Sequence, residues 1–207
     1  MIKVLVTAFG AFPGAPSNPT MALARELERR HGKRLARLSI GLHTRVLPVR
    51  FADVEGALSA ALEEVRPDVV LHLGLAARRA ALSVERRALN RLGTLRPDAA
   101  RAFAGSGVVL PEEPFQRLAR WPAQRIRAAM DRVAVTRLSI DAGDYVCNQT
   151  LFLTLARTRG PVGFIHIPRP RKGGRRRPGL GAMVEATACA VISMAGSARP
   201  VFPAPQA

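Results

Sequence analysis

Short apolar runs alternate along this chain with longer stretches of helical periodicity. Short, mostly apolar runs at residues 2–7, 69–75 and 162–167 are typical of strands that a sheet buries on both faces. Further strands are predicted at residues 44–50, 82–85 and 133–140, and helices at residues 19–30, 52–65, 123–132, 147–159 and 180–195. This order predicts an α/β fold, a three-layer α/β/α single domain with a mostly parallel central sheet.

Local signals set several of these boundaries. Asn18 precedes Pro19, which suits an N-cap followed by proline at the first helical position. Residues 91–122 show no clear period, so we predict an irregular wall or insert there. We expect residues 1–198 to form one domain and the proline-rich residues 199–207 to form a frayed tail.

The composition is that of an ordinary globular protein: 48% of the 207 residues are hydrophobic and 23% are charged. No run approaches the roughly 18 apolar residues of a spanning helix. The apolar run directly after Met1 lacks the basic region and cleavage site of a secretory signal, so we expect a cytoplasmic protein. Cys147 and Cys189 are too few for a disulfide framework, and neither has zinc-ligand spacing, so we expect no structural metal.

The charge is unusual, because 32 Lys and Arg against 15 Asp and Glu give a net charge of +17. Nucleic-acid-binding proteins usually concentrate such charge on one face, whereas these arginines are scattered and cluster only at residues 169–177. We therefore favour a solvated arginine-rich surface with one basic loop, and expect neither a membrane nor a nucleic-acid partner. Binding of nucleic acid or an acidic partner by that loop stays an alternative, and it would weaken steeply with salt.

Candidate chemistry falls where predicted strands end. Ligands of an open parallel sheet bind at the carboxyl ends of its strands. The features at such ends are residues 9–18, residues 74–79, Glu85, residues 141–147 and His166. We expect them to meet in one pocket.

Three of these residues could perform nucleophilic catalysis. Cys147 stands where a helix is predicted to begin, and the positive end of a helix dipole favours thiolate over thiol. His166 could take the thiol proton and later protonate a leaving amine, and Glu85 could orient its ring. On spacing alone, a small buried cysteine and a hydrogen-bonded core histidine explain the same residues.

The sequence around these residues resembles one family over most of the chain. Residues 74–90 (GLAARRAALSVERRALN), 138–148 (LSIDAGDYVCN) and 163–168 (GFIHIP) are similar to the glutamate, cysteine and histidine blocks of the pyroglutamyl peptidase I family, the pyrrolidone carboxyl peptidases. Residues 4–14 together with 18–20, and residues 45–49, are similar to two further family segments, in the same order. The resemblance is weakest over residues 99–122.

This resemblance implies a cysteine exopeptidase that removes an N-terminal pyroglutamyl residue from peptides without a cofactor. It makes Cys147 the nucleophile, His166 the general base and acid, and Glu85 the group that orients and charges His166. It also suggests a homo-oligomer.

The resemblance extends to substrate-binding positions. Phe9 and Phe12 match the aromatic positions that hold the lactam ring, and Asn18, with main-chain groups near Leu75 and Val146, matches the contacts to the lactam amide. A small uncharged ring with one extra amide needs such aromatic faces and a few fixed polar groups. Core packing for the phenylalanines and N-capping for Asn18 stay open as alternatives.

The sequence also departs from the family pattern. Arg87 stands at an apolar position, and the family arginine thought to support the oxyanion falls on Leu95, with Arg96 one place along. Ala8, Ala11 and Pro13 replace Gly, Pro and Gly in the first loop. A diverged homologue of the same fold that binds or cleaves something else is therefore the second reading.

Overall fold

The computed structural model describes residues 1–171 and 177–198. Its strands are β1 (Ile2–Phe9), β2 (Ile40–Leu47), β3 (Val69–Leu75), β4 (Leu82–Glu85), β5 (Arg87–Leu89), β6 (Gln116–Leu118), β7 (Thr136–Ser139) and β8 (Val162–Ile167). Its helices are α1 (Pro19–Arg37), α2 (Val54–Val65), α3 (Ala123–Asp131), α4 (Val146–Arg157) and α5 (Leu180–Ala195). Strands and helices therefore alternate over most of the chain, as predicted.

Six strands form the central sheet in the order β2-β1-β3-β8-β4-β7. Strands β2, β1, β3 and β8 are parallel to one another. Strand β4 runs antiparallel to β8, and β7 runs parallel to β4. The sheet is mostly parallel, as predicted, but its last two strands run in the opposite direction.

Both faces of the sheet are apolar and each carries helices. Val4 and Val6 pack on one side with α1, α3 and α5, whereas Leu5 and Val70 pack on the other side with α2 and α4. Alternating residues of a strand point to opposite faces, so a continuous apolar run is what a sheet buried on both sides requires. The three-layer α/β/α fold is confirmed.

Several boundaries differ from the prediction. Strand β2 begins at Ile40 because it pairs along the whole length of β1, with Ile40 opposite Ile2. It is an edge strand with half-exposed residues, so it lacks the apolar run that marks a central strand. Strand β6, in the stretch predicted to be irregular, pairs with β5 in a second, two-stranded sheet.

Two features noted in the sequence are wholly or partly outside the residues that the structure describes. These are the predicted tail at residues 199–207 and residues 172–176 of the basic cluster. Among the helices that the structure does describe, none combines the length and the apolar character needed to cross a membrane.

Candidate active site

The candidate site lies on the face of the sheet that α4 covers. Strands β4 and β8 pair with Ser83 opposite His166. Glu85 is two residues after Ser83 on β4, so its side chain points to the same face of the sheet as that of His166. A side chain in that diagonal position can reach its neighbour. Glu85 Oε1 lies 2.8 Å from His166 Nδ1.

The expectation that every candidate stands at one carboxyl edge of the sheet is wrong for Glu85. Because β4 runs antiparallel to β8, its carboxyl end points away from the carboxyl end of β8. Glu85 reaches the site through its side chain, and the loop after β7 leads back to Cys147.

Cys147 lies in the first turn of α4, which begins at Val146, against the end of β3. Gly74 of β3 pairs with His166 of β8. A Cβ atom on Gly74 would stand 2.6 Å from Phe164 Cζ and 2.9 Å from Cys147 Sγ. The absence of a side chain at residue 74 is therefore what lets the thiol reach the sheet.

A chain of buried hydroxyl groups holds α4 on the sheet. Thr154 Oγ1 donates to the Thr150 carbonyl at 2.8 Å, so it accepts from His72 Nε2 at 2.9 Å. His72 Nδ1 then accepts from the Thr7 hydroxyl at 2.7 Å. Burial lowers the pKa of His72 to about 3, so the ring is neutral and this arrangement of protons holds at working pH.

One cavity of about 410 Å³ collects the predicted site residues. Phe9, Phe12, Asn18, Leu75, Val146, Cys147 and His166 all line it. Glu85 is fully buried behind His166. Residues from five separate segments of the sequence therefore meet at one place, as expected.

Burial controls the state of the thiol. Burial raises the pKa of Cys147 to about 12, the charge of Glu85 adds to the rise, and Arg79, Arg96 and the cysteine's own backbone N–H oppose it. This rise opposes the thiolate that the helix N-terminus is expected to favour, so attack by Cys147 at neutral pH calls for a base.

The His166 ring is oriented to supply that base. An ionised carboxylate only accepts hydrogen bonds, so Glu85 assigns the proton of the neutral ring to Nδ1 and leaves Nε2 unprotonated. Within residues 1–171 and 177–198, no hydrogen bond joins the thiol to the ring. Such contacts often tighten only when substrate is bound.

The two phenylalanines differ in how far they belong to the core. Phe9 is 2% exposed and stacks on Phe164 with ring centroids 6.2 Å apart, so it serves both the core and the cavity wall. Phe12 is half-buried, and its ring lies 6.2 Å from that of Tyr145. Phe12 is thus the more accessible aromatic face.

Asn18 performs the capping role expected of it. Its Oδ1 accepts from the Thr20 backbone N–H at 3.2 Å, and its Nδ2 donates to the Gly10 carbonyl at 3.0 Å. The residue also lines the cavity. Its side chain therefore fixes the first loop, where Phe9 and Phe12 stand, as well as contributing to the wall.

The shifted arginine still faces the cavity. Leu95 is 90% exposed, whereas Arg96 lines the cavity and forms an ion pair with Asp144. The Arg96 guanidinium also stands 5.4 Å from the centre of the Tyr145 ring. A guanidinium therefore faces the cavity despite the one-residue shift in the sequence.

Arg87 finds both partners and a route to solvent. Its Nε donates to the Ile140 carbonyl at 2.7 Å, and its Nη1 donates to Gln116 Oε1 at 2.8 Å. Because this side chain is not fully buried, the departure from an apolar residue costs little.

Sequence reasoning gave no individual role to Arg79 or Tyr145, both of which line the cavity. Tyr145 stands inside the cysteine block, and its hydroxyl donates to the Pro97 carbonyl at 2.8 Å. Burial raises its pKa to about 12, so it is a neutral donor. Arg79 is one arginine among many, and only its contacts distinguish it.

The described residues hold no group of three or more His, Cys, Asp or Glu side chains that could bind a metal ion.

Comparison with known proteins points to one family. A family model described as pyroglutamyl peptidase matches residues 2–195. The pyrrolidone-carboxylate peptidase of Pyrococcus furiosus is 34% identical over 173 residues, which are 81% of this chain and 81% of that protein. The corresponding Gloeobacter violaceus protein is 33% identical over 204 residues, which are 93% of this chain and 94% of that protein. The crystal structure of pyrrolidone carboxyl peptidase from Thermus thermophilus is 34% identical and superposes with a TM-score of 0.81 over 92% of this chain and 99% of that one.

Proposed function

Since the chain belongs to the pyroglutamyl peptidase family, we propose that it removes an N-terminal pyroglutamyl residue from peptides by means of Cys147, His166 and Glu85. The observation that carries this proposal is the convergence of a thiol and a carboxylate-oriented imidazole on one cavity. A nucleophile, a base and a group that orients the base are the three parts that acyl transfer needs.

The reaction begins with proton transfer. His166 Nε2 takes the Cys147 proton while the sulfur attacks the pyroglutamyl carbonyl carbon, which gives a tetrahedral oxyanion. The first backbone N–H groups of α4 have no partner inside the helix and can donate to that oxygen, and the Arg96 cation faces the same cavity.

The intermediate then collapses. The bond from carbon to the peptide nitrogen breaks, and the His166 imidazolium protonates the departing amine. The acyl group stays on Cys147 as a thioester. Water, deprotonated by His166, attacks that thioester and releases pyroglutamate and the free thiol. Glu85 stabilises the imidazolium that forms in both halves of the reaction.

The cavity walls suit the lactam ring. Phe12 and Phe9 offer aromatic faces, and Leu75 and Val146 also belong to the lining. We propose that the ring binds between these faces while its amide pairs with the main chain. A ring without the lactam carbonyl would leave those polar groups unpaired, which is costly in a buried site.

A peptide assay tests the substrate. We expect the enzyme to convert a peptide with N-terminal pyroglutamate into free pyroglutamate and the shortened peptide, both identified by mass spectrometry. The same peptide beginning with proline or glutamine should remain intact. Cleavage of all three peptides would indicate a different specificity, and cleavage of none by folded protein would favour the diverged homologue.

Cysteine variants test the nucleophile. Cys147→Ser should abolish turnover, because a serine hydroxyl is a far weaker nucleophile than a thiol with this base. Cys189, on α5, is the matched control, and Cys189→Ser should retain wild-type activity. Equal loss in both variants would show that the effect is structural.

We also propose that the enzyme self-associates. Phe103, Phe115 and Leu118 are 58%, 71% and 67% exposed, and large apolar side chains exposed in one segment are a common sign of an interface. Light scattering coupled to gel filtration should give a mass above that of one chain. A mass of one chain at assay concentration would contradict self-association.

The cytoplasmic location also stays a prediction, which cell fractionation can check.

A further inference from the structure

Arg79 occupies a bridging position in the site. It stands in the loop after β3, lines the cavity, and is 31% exposed. Its Nη1 donates to Glu85 Oε1 at 2.5 Å, and its Nη2 donates to the Asp141 carbonyl at 2.7 Å. One planar guanidinium therefore joins the strand that carries the carboxylate to the loop that precedes Cys147.

Glu85 depends on that contact for its charge. The carboxylate is fully buried, and its hydrogen-bond partners among the described residues are Arg79 and His166, both on Oε1. Oε2 is buried without a partner. A buried carboxylate is costly unless it is paired, and an arginine supplies a positive charge that does not depend on pH.

The second contact sets the distance to the nucleophile. Asp141 opens the loop that leads into Val146 and Cys147, and its side chain braces that loop by accepting from the Gly143 N–H at 2.9 Å. Because Arg79 holds the Asp141 carbonyl and Glu85 together, it restricts how far this loop can move from the His166 ring. A displacement of about 1 Å between reacting groups can cost roughly 100-fold in rate.

We propose that Arg79 is a positioning residue: it holds Glu85 in place for His166 and ties this pair to the loop that delivers Cys147. This role deepens the proposed function and rests on it. Arg79 acts through Glu85 and the Asp141 carbonyl, the two groups to which its terminal nitrogens donate. Its positive charge also opposes the rise in the Cys147 pKa.

Two other roles would leave different kinetic signatures. An arginine that binds the substrate would raise KM when replaced and leave kcat nearly unchanged. An arginine that only stabilises the fold would lower the melting temperature and change neither constant of the folded enzyme. A positioning residue lowers kcat with little change in KM, and here it also slows alkylation of the thiol.

The test compares Arg79→Gln with Arg78→Gln, which removes the same charge from the neighbouring, exposed residue. Both are made in a Cys189→Ser background, so that iodoacetamide reports on Cys147 alone. We expect Arg79→Gln to lower kcat by about 10- to 100-fold with KM within about threefold. Its alkylation rate at pH 7 should fall by roughly tenfold, the effect of a rise of one unit in the thiol pKa. Arg78→Gln should match the parent protein in all three.

Arg79→Lys keeps the positive charge but replaces the planar guanidinium, which has two terminal nitrogens, with a single ammonium group. A lysine can pair with Glu85 but cannot also hold the Asp141 carbonyl in the same geometry. We expect near-parental alkylation and a kcat between those of the parent and Arg79→Gln. This variant also decides the matter if Arg79→Gln does not fold, because parental kcat in Arg79→Lys would then overturn the bridging role.

Other outcomes contradict the proposal clearly. If folded Arg79→Gln alkylates and turns over as Arg78→Gln does, Arg79 does not position the site. If its KM rises while kcat holds, Arg79 binds substrate instead. If the parent protein cleaves no pyroglutamyl substrate, the proposed function fails, and the alkylation rates alone still show whether Arg79 acts on the thiol.

Discussion

Cys147 is under opposing influences at the scale of a single residue. Burial and the Glu85 carboxylate raise its pKa to about 12, and two guanidinium groups and its own N–H lower it. The net rise favours a thiol in the resting protein, so the proposed attack needs a base, and His166 is the one we propose. This differs from a site with a preformed thiolate, and the difference is measurable.

The pH dependence of alkylation distinguishes the two cases. In a Cys189→Ser background, we expect the rate of reaction with iodoacetamide to rise about tenfold per pH unit from pH 6 to pH 9. The thiolate fraction grows in that proportion while the pH stays below the raised pKa. A rate that is already level between pH 6 and pH 8 would indicate a preformed thiolate.

Gly74 is the second residue on which the site depends. Gly74→Ala would place a methyl group 2.6 Å from Phe164 Cζ, and Phe164 is fully buried against Phe9 and His166. We expect this variant to lose about 1–3 kcal/mol of unfolding free energy and most of its activity. Urea denaturation and a turnover assay check this. Gly56→Ala on α2, where the added Cβ meets nothing within 4 Å, is the matched control and should keep both.

The meeting of Glu85, Cys147 and His166 at one place could be predicted, because the residues around each of them form a recognisable block. The pKa of Cys147 could not, because desolvation depends on what packs around the sulfur. Nor could the part played by Arg79, because its contacts with Glu85 and Asp141 arise from strand directions that the periodicity does not encode.

Helix α4 matters at the scale of elements, because it carries Cys147 in its first turn. Side chains anchor both of its ends. Asn148 Nδ2 donates to the carbonyls of Leu89 and Arg91, and its Oδ1 accepts from the Leu89 N–H. Arg120 covers the other end. Contacts at both ends therefore fix the helix that carries Cys147.

Arg120→Ala should destabilise the protein through this helix. The Arg120 guanidinium donates to the carbonyls of Leu155, Thr158 and Gly160, which lie at or just after the end of α4. Losing a cation and its hydrogen bonds there should cost about 2 kcal/mol of unfolding free energy, measured by urea denaturation. The exposed Arg159→Ala is the control, and equal midpoints for the two variants would contradict this account.

Sequence periodicity predicted the elements unevenly. The bounds of β3, β4, β8 and α5 match because apolar runs and turn residues mark both of their ends. Strand β2 is displaced because an edge strand is only partly buried. Strand β6 was missed because three residues with mostly exposed side chains carry no period. The direction of β4 could not be read from its sequence, since parallel and antiparallel strands can share the same pattern.

The net charge of +17 acts at the scale of the whole molecule. The two described ends of the basic cluster border the candidate site: Arg169 donates to the Gly14 carbonyl in the first loop, and Arg177 donates to the Ala77 carbonyl after β3. Positive charge at the rim of a cavity attracts anionic ligands over a distance that salt shortens.

Acidic peptides should therefore be favoured at low salt. We expect kcat/KM for a pyroglutamyl peptide followed by glutamates to exceed that of its glutamine counterpart by roughly tenfold at low salt. The two values should converge near 1 M salt, where the Debye length falls to about 3 Å. Equal values at low salt would show that the charge does not steer substrate.

The most direct test of the central claim is the rate at which the wild-type protein releases aminomethylcoumarin from its pyroglutamyl amide, measured beside the prolyl amide and beside Cys147→Ser. We predict release from the pyroglutamyl amide by the wild type alone, because only that pairing has both the thiol and the lactam that the cavity accommodates. Undiminished release by Cys147→Ser, or equal release from the prolyl amide, would contradict the account.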